Sequence, residues 1–201
     1  MSIIDKMLGA VTPPESEETR TAATEKARSV AQPGDWLSAV LDHHDQIRAG
    51  FEACREAQDG PARLEAMRRL SRVLIGHSLA EEVVLYPALA KAHEKSHATL
   101  AYTEQTTAKM QMAELERIPP EDEAWADKLE HIRGAVLHHI FEEEGFWFLE
   151  IKAKYDDQAF LNRRFVEEYE RYADGASANE TRRPAEPRAF DRGDDAPASA
   201  I

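Results

Sequence analysis

Cysteine is nearly absent: Cys54 stands alone in 201 residues, so no internal disulfide framework can form. A single thiol suits a reducing compartment, and the chain is expected to be cytoplasmic. Long apolar runs are missing too. No stretch of about 18 consecutive apolar residues is evident, so no membrane span is expected. The opening MSIIDKMLGAVTPPESEE is too short and too interrupted in its apolar part for a secretory signal. Basic charge is scarce, with 25 Lys and Arg against 38 Asp and Glu and a net charge of −13. Neutralising phosphates takes clustered cations, so no nucleic-acid partner is expected. There is no Gly-rich phosphate loop, no Ser/His/Asp set, no paired zinc-finger cysteines and no period-two strand pattern.

What is present is helical periodicity. Hydrophobic residues make up 42% and charged residues 31%, as in an ordinary globular chain long enough for one domain with tails. Residues 1–34 are expected to be a flexible N-terminal arm, since 12–34 hold almost no large apolar side chains. The stretch 175–201, GASANETRRPAEPRAFDRGDDAPASAI, is expected to be a disordered tail. Between them lies the domain, 35–174. A first helix is expected from about Asp35, as N-cap, to Gln58, with the stripe Leu37, Val40, His44, Ile47, Phe51 and Cys54. A second covers about Pro61 to Ala90, with Leu70, Leu74, His77, Glu81, Val84 and Ala88 in line; Pro87 should kink or end it. A third begins within 91–98, ends at Pro119-Pro120 and aligns Ala98, Ala101, Gln105, Ala108, Met112 and Leu115. A fourth spans about Ala124 to Tyr155 with Ile132, Val136, His139, Glu143, Phe146 and Glu150. A shorter helix from about Gln158 to Tyr172 should pack on the outside. The expected fold is all-α, an antiparallel up-down four-helix bundle with an additional C-terminal helix.

The informative feature is what interrupts the stripes. Core-facing positions should be apolar, yet three stripes carry a histidine and two of these carry a glutamate one turn later. His77 and Glu81, like His139 and Glu143, sit four apart on one helix face. One such pair is ordinarily a surface ion pair stabilising by a few tenths of a kcal/mol. Two pairs on separate helices, both within apolar stripes and joined by His44, point instead to a buried cation, because unpaired buried carboxylates are costly.

The stretches DHHDQIRAGF, HSLAEEVVLYPAL and LHHIFEEEGFWF, with TTAKMQMAELERI and PPEDEAW between them, resemble the hemerythrin-like, or HHE cation-binding, domain over roughly 35–155. Motif order and spacing agree, with Tyr86 nine residues after His77 and Phe148 nine after His139. The resemblance implies a non-haem di-iron site inside the bundle, with carboxylates bridging two ions and histidines capping them. It assigns His44, His77, Glu81, His139 and Glu143 as metal ligands. Where the family has a helix C histidine, this chain has Gln105, a neutral amide and a poorer iron ligand than imidazole. Three outcomes stay open: Gln105 ligates or holds a metal-bound water, one ion binds loosely or not at all, or His97 substitutes. The last is disfavoured, since His97 is about 80° around the helix and roughly 12 Å along it.

Other candidates read as follows. His43 and His138 point about 100° from the proposed ligands and should flank them or be exposed. Glu142 and Glu144 should form a solvated edge, with Glu142 placed to link to His138; Glu82 should either support the ligands from outside or lie at the surface, and the pair His93/His97 should be exposed. Tyr102, one turn before Gln105, should pack rather than reach the site. Phe146, Trp147 and Phe148 should be core aromatics. The function implied is iron-dependent sensing of, or reaction with, oxygen, peroxide or nitric oxide in a stress response. The alternative is a non-enzymatic zinc or mononuclear metal protein that regulates a protein partner.

Overall fold

A computed structural model describes residues 15–92 and 94–181, with side chains up to residue 173. Among the described residues every regular element is helical. In chain order they are α1 (Glu17–Val30), α2 (Trp36–Glu56), α3 (Gly60–Ala80), α4 (Tyr86–Lys91), α5 (Lys95–Leu115), α6 (Glu123–Glu142), α7 (Phe148–Lys154) and α8 (Gln158–Thr181). Starts are set by short acidic and hydroxyl side chains that accept from orphan backbone N–H groups. Ser16 accepts from Thr19 at 3.1 Å, Asp35 from Ser38 at 2.7 Å, Asp59 from Ala62 at 2.8 Å and Asp122 from Ala124 at 2.9 Å. Pro61 occupies the first turn of α3, where the missing N–H costs nothing. Gly34 supplies the positive φ (79°) of the turn before α2.

Short connections make α2, α3, α5 and α6 antiparallel neighbours of one bundle, with α8 laid against α2 and α3. The core falls into two apolar clusters. One gathers Trp36, Leu37, Val40, Leu41, Val84, Leu85, Trp147, Phe148 and Phe165; the other gathers Ile47, Phe51, Leu70, Leu74, Met112, Trp125, Ile132, Val136 and Ile140. On each of the four bundle rods the residues that separate them are polar: His44, His77 and Glu81, Gln105, His139 and Glu143, all buried. The bundle thus has a polar layer between two oily ones.

Two elements differ from the sequence expectation within that layer. The rod Gly60–Lys91 is continuous but switches to π-helical bonding at Glu81–Leu85, where the Tyr86 N–H donates to the Glu81 carbonyl. The rod of α6 and α7 does the same at Glu143–Trp147, where the Phe148 N–H donates to the Glu143 carbonyl. Pro87 sits in the first turn after the first π segment and does not end the rod, since the wider loop leaves room for a residue with no N–H. Proline is not required for the switch, because Leu149 occupies the matching place in the second rod. By length and composition alone Gly60–Lys91 could cross a membrane, although it holds no run of 18 consecutive apolar residues. Neighbouring helices bury most of its apolar stretch, as they do in the core helix of a bundle.

The ends differ as well. Residues 17–30, expected within a flexible arm, form α1, which buries Ala23 and Ala27 against the bundle. Small alanines carry its contact face against the second π segment. Residues 1–14 of that arm lie outside the described residues. The C-terminal helix runs on to Thr181, nine residues past Tyr172, so 175–181 are helical and not tail; 182–201 lie outside the described residues. Phe146, expected in the core, is 56% exposed, since the π segment turns it outward while Trp147 and Phe148 go in.

Candidate metal centre

The spacing of nine between His77 and Tyr86 is four plus five. Four residues bring Glu81 under His77 on one helix face. Five more in a regular α-helix turn through 500°, about 140° off that face. The i→i+5 bond removes this offset, so Tyr86 returns over Glu81 and its hydroxyl enters the polar layer. The second rod repeats the device with His139, Glu143 and Phe148, whose ring has no hydroxyl to offer.

The structure brings all six candidate ligands into this layer. His77 Nε2 lies 3.2 Å from Glu81 Oε1, and His139 Nε2 3.2 Å from Glu143 Oε1. His44 Nε2 is 3.3 Å from Glu143 Oε2 and 4.0 Å from Glu81 Oε1. Donor atoms of His44, His77, Glu81 and Glu143 all lie within 4.8 Å of one another, each residue fully buried or nearly so. Gln105 is buried on the other side, where its amide donates to Glu81 Oε2 at 2.6 Å and to the Tyr86 hydroxyl at 2.7 Å. The Tyr86 hydroxyl also stands 3.0 Å from His139 Nε2, and donates to Glu143 Oε1 at 3.0 Å and Glu81 Oε2 at 3.4 Å.

The imidazoles are held from behind. His44 Nδ1 meets Glu144 Oε1 at 2.8 Å, and Glu144 is held in turn by Arg48 at 2.9 Å and by the Thr24 hydroxyl from α1. His139 Nδ1 meets Glu104 Oε2 at 2.8 Å. Such carboxylates fix the ring orientation and leave Nε2 pointed at the centre. Glu144, expected at a solvated edge, is therefore wholly buried, because α1 covers that face. Neither this role nor that of Glu104 is signalled by the sequence, since each sits beside a stripe and not in it.

Electrostatics reflect crowding of charge without solvent. Burial pushes the Glu81 carboxyl well up, and the neighbouring Glu143 pushes it further. For Glu143, burial works upward but is outweighed by His139 and His44, which hold it low. Burial opposes protonation of His139 and His44, yet the facing carboxylates raise both. His77, buried among other imidazoles, is driven well below its ordinary value. Burial lifts the Tyr86 phenol well up, helped by both carboxylates.

A cation fits what is left unsatisfied. His44 Nε2, Glu81 Oε1 and Glu143 Oε2 are buried without a hydrogen-bond partner and face one another. Such groups are costly unless paired, and imidazole nitrogen with carboxylate oxygen is a donor set for zinc, iron or manganese.

The remaining candidates lie outside this cluster. His97 is half exposed, paired with Glu94 at 3.3 Å and stacked on Trp147, so it does not replace Gln105; His93 lies outside the described residues. Tyr102 packs edge-on against Tyr86 and sends its hydroxyl to the Glu82 carbonyl, while Glu82 pairs with Lys109. His43 flanks the site, stacked on Tyr169 with ring centres 3.9 Å apart; burial and His44 push it down to about 4. His138 is held by Glu15 at 2.6 Å and lies 3.9 Å from Glu142, the link anticipated for that pair. Cys54 is a buried free thiol, pushed up by burial to about 11.

Among known proteins, the chain is 24% identical over 109 residues to a DNA nickase of Nostoc sp. (strain PCC 7120). That stretch is 54% of this chain and 31% of the Nostoc protein, so the chain spans under a third of that relative's length. No solved structure matches the chain. Residues 37–149, more than half of the chain and the whole of the polar layer just described, match the hemerythrin HHE cation-binding domain, and the chain belongs to that family.

Proposed function

We propose that this chain is a non-haem iron protein that holds two ions in the polar layer and uses them to sense or react with oxygen, peroxide or nitric oxide. The observation that carries this reading is the two-sided use of the carboxylates. Glu81 presents Oε1 to His77 and His44 and Oε2 to Gln105 and Tyr86; Glu143 presents Oε2 to His44 and Oε1 to His139 and Tyr86. A carboxylate with distinct partners on its two oxygens is placed to bridge two ions. His44 and His77 would cap one, His139 the other, and Gln105 would stand where the family has its helix C histidine.

Bound iron would supply the electrons for reaction with a small oxidant. The chain's own residues govern access and orientation. Glu144 and Glu104 hold two imidazoles in register, and Trp147 and Phe148 close one side against water. On the other side a cavity of about 320 Å³, walled by Leu74, Ala108 and Val136, reaches from His77, Gln105 and His139 toward exposed Gly134. At about 30 Å³ per water, that is ample for a diatomic molecule.

A second reading, a zinc or mononuclear regulator acting through a protein partner, is supported by one observation. His44, His77, Glu81 and Glu143 already make a four-donor group on their own. A cytoplasmic location is proposed from the single buried thiol. Nicking of DNA belongs to the Nostoc relative; a net charge of −13 here gives no support to extending it.

The experiment is to load the protein anaerobically with ferrous iron and follow its absorption as air, peroxide or nitric oxide is admitted. A new ligand-to-metal band is expected on oxidation, whereas a silent spectrum with bound zinc favours the regulator.

A further inference from the structure

The two halves of the bundle repeat one another. His77, Glu81 and Tyr86 correspond to His139, Glu143 and Phe148, each set sharing the spacing of four and five and the same π segment. His44 on α2 then corresponds to Gln105 on α5. The correspondence holds in contacts as well. His44 lies face to face with Phe148, ring centres 6.0 Å apart, and Gln105 lies against Tyr86, its amide 2.7 Å from the hydroxyl. The repeat breaks at two positions that touch each other. Where one half has an imidazole against a plain phenyl ring, the other has an amide against a phenol.

These two departures compensate. Gln105 is shorter of a good metal donor by one imidazole nitrogen. Tyr86 adds one oxygen, and that oxygen stands among His139 Nε2 at 3.0 Å, Glu143 Oε1 at 3.0 Å and Glu81 Oε2 at 3.4 Å. Those are the atoms that would surround the ion on this side. Tyr102, which packs edge-on against Tyr86, turns its own hydroxyl away to the Glu82 carbonyl.

We infer that Tyr86 is a metal ligand of the second ion position, its phenol oxygen taking the place of the helix C histidine, with the Gln105 amide holding that oxygen in position. On binding, the hydroxyl proton leaves to solvent and the phenolate oxygen bonds the ion; no electron changes hands. The inference rests on the two-ion reading of the site. It makes the centre asymmetric, with nitrogen-rich donors of His44 and His77 on one side and a phenolate with His139 on the other. Phenolate is a hard anionic donor that favours the ferric over the ferrous state, so the second position would hold its ion more tightly once oxidised.

The test uses the full chain loaded with ferrous iron and oxidised in air. Iron per chain is measured by elemental analysis and the visible spectrum is recorded alongside. Wild type is expected to show an intense phenolate-to-iron charge-transfer band, with tyrosine ring modes in resonance Raman excited within it. Tyr86→Phe is expected to lose the band and one ion per chain. The double variant Tyr86→Phe with Gln105→His, which restores the repeat, is expected to regain the ion but not the band. That recovery separates lost ligation from a damaged fold, and circular dichroism of both variants checks the helices directly. A wild-type protein that holds both ions yet shows no phenolate band overturns the inference and leaves the two-ion reading standing. So does a Tyr86→Phe protein with iron content and spectrum unchanged. A wild type that takes up no iron in the metal analysis contradicts the iron reading itself, and the inference falls with it.

Discussion

Glu144 shows how a single side chain can govern a site it does not enter. It grips His44 Nδ1, is neutralised by Arg48, and is fully buried, so its charge matters only through the imidazole it orients. Burial works against its ionisation, but His44 and Arg48 hold the carboxyl low. Glu144→Gln keeps the shape and removes the charge. The expected result is a loss of metal affinity of about 10–100-fold with helix content unchanged, read by competition against a coloured chelator. Glu81→Leu asks the opposite question. Removing one member of a buried charged cluster usually costs several kcal/mol, but burial and the neighbouring Glu143 push the Glu81 carboxyl up, so its charge is one that the metal-free core holds poorly. The metal-free Glu81→Leu protein is therefore expected to melt at or above the wild-type temperature while binding no ion at this layer. A steep fall in melting temperature contradicts this account of Glu81. The five histidine and glutamate candidates were legible from the sequence because each interrupts an apolar stripe at core register. Tyr86, Glu104 and Glu144 were not, since at 100° per residue none of them falls on the inward face.

At the scale of the element, two devices matter: caps and π segments. Asp35 caps α2 and pairs with Lys152 at 2.7 Å, joining the start of the bundle's first helix to α7. Burial raises the Asp35 carboxyl, yet the Lys152 and backbone hydrogen bonds outweigh it and hold the value below normal. The sign follows: a lowered carboxyl stabilises the fold above the ordinary carboxylate range, and that contribution disappears as pH falls through the folded value. Asp35→Ala is expected to cost about 1–2 kcal/mol at neutral pH from the cap alone. In parallel urea melts, the gap between Asp35→Asn and wild type should close on acidification. The helices with large apolar stripes were readable, as was the Asp35 cap. The π segments were not, because a hydrophobic pattern with a period near 3.6 does not record a single inserted residue. Helix α1 escaped because its buried face is Ala23 and Ala27, too small to register as a stripe. Deleting residues 1–31 removes the Thr24 contact and uncovers Glu144. The truncated chain should lose metal affinity in the same direction as Glu144→Gln, and an unchanged affinity would show that α1 merely decorates the bundle.

For the whole molecule, the polar layer is both the weak point of the core and its reason for being. Two apolar clusters could pack into one continuous core if His44, His77, Glu81, Gln105, His139 and Glu143 were apolar. Keeping them polar leaves buried atoms unpartnered that a cation would satisfy. Folding and binding are then linked: metal bound only by the folded chain adds about 2.7 kcal/mol at a free concentration one hundred times its Kd. The iron-loaded protein should melt well above the chelated one, and acid should release the metal because imidazole and carboxylate ligands must shed protons to bind it. The architecture was readable from four amphipathic stretches joined by short turns; the division of the core into two clusters was readable only in outline, from the polar residue in the middle of each stripe. The most direct test of the central claim is a crystal structure of the iron-loaded protein with anomalous scattering recorded at the iron edge. The account predicts anomalous peaks between Glu81 and Glu143, one toward His44 and His77 and one toward His139 and Tyr86. An empty polar layer, with iron only at surface groups such as His97 and Glu94, would contradict it.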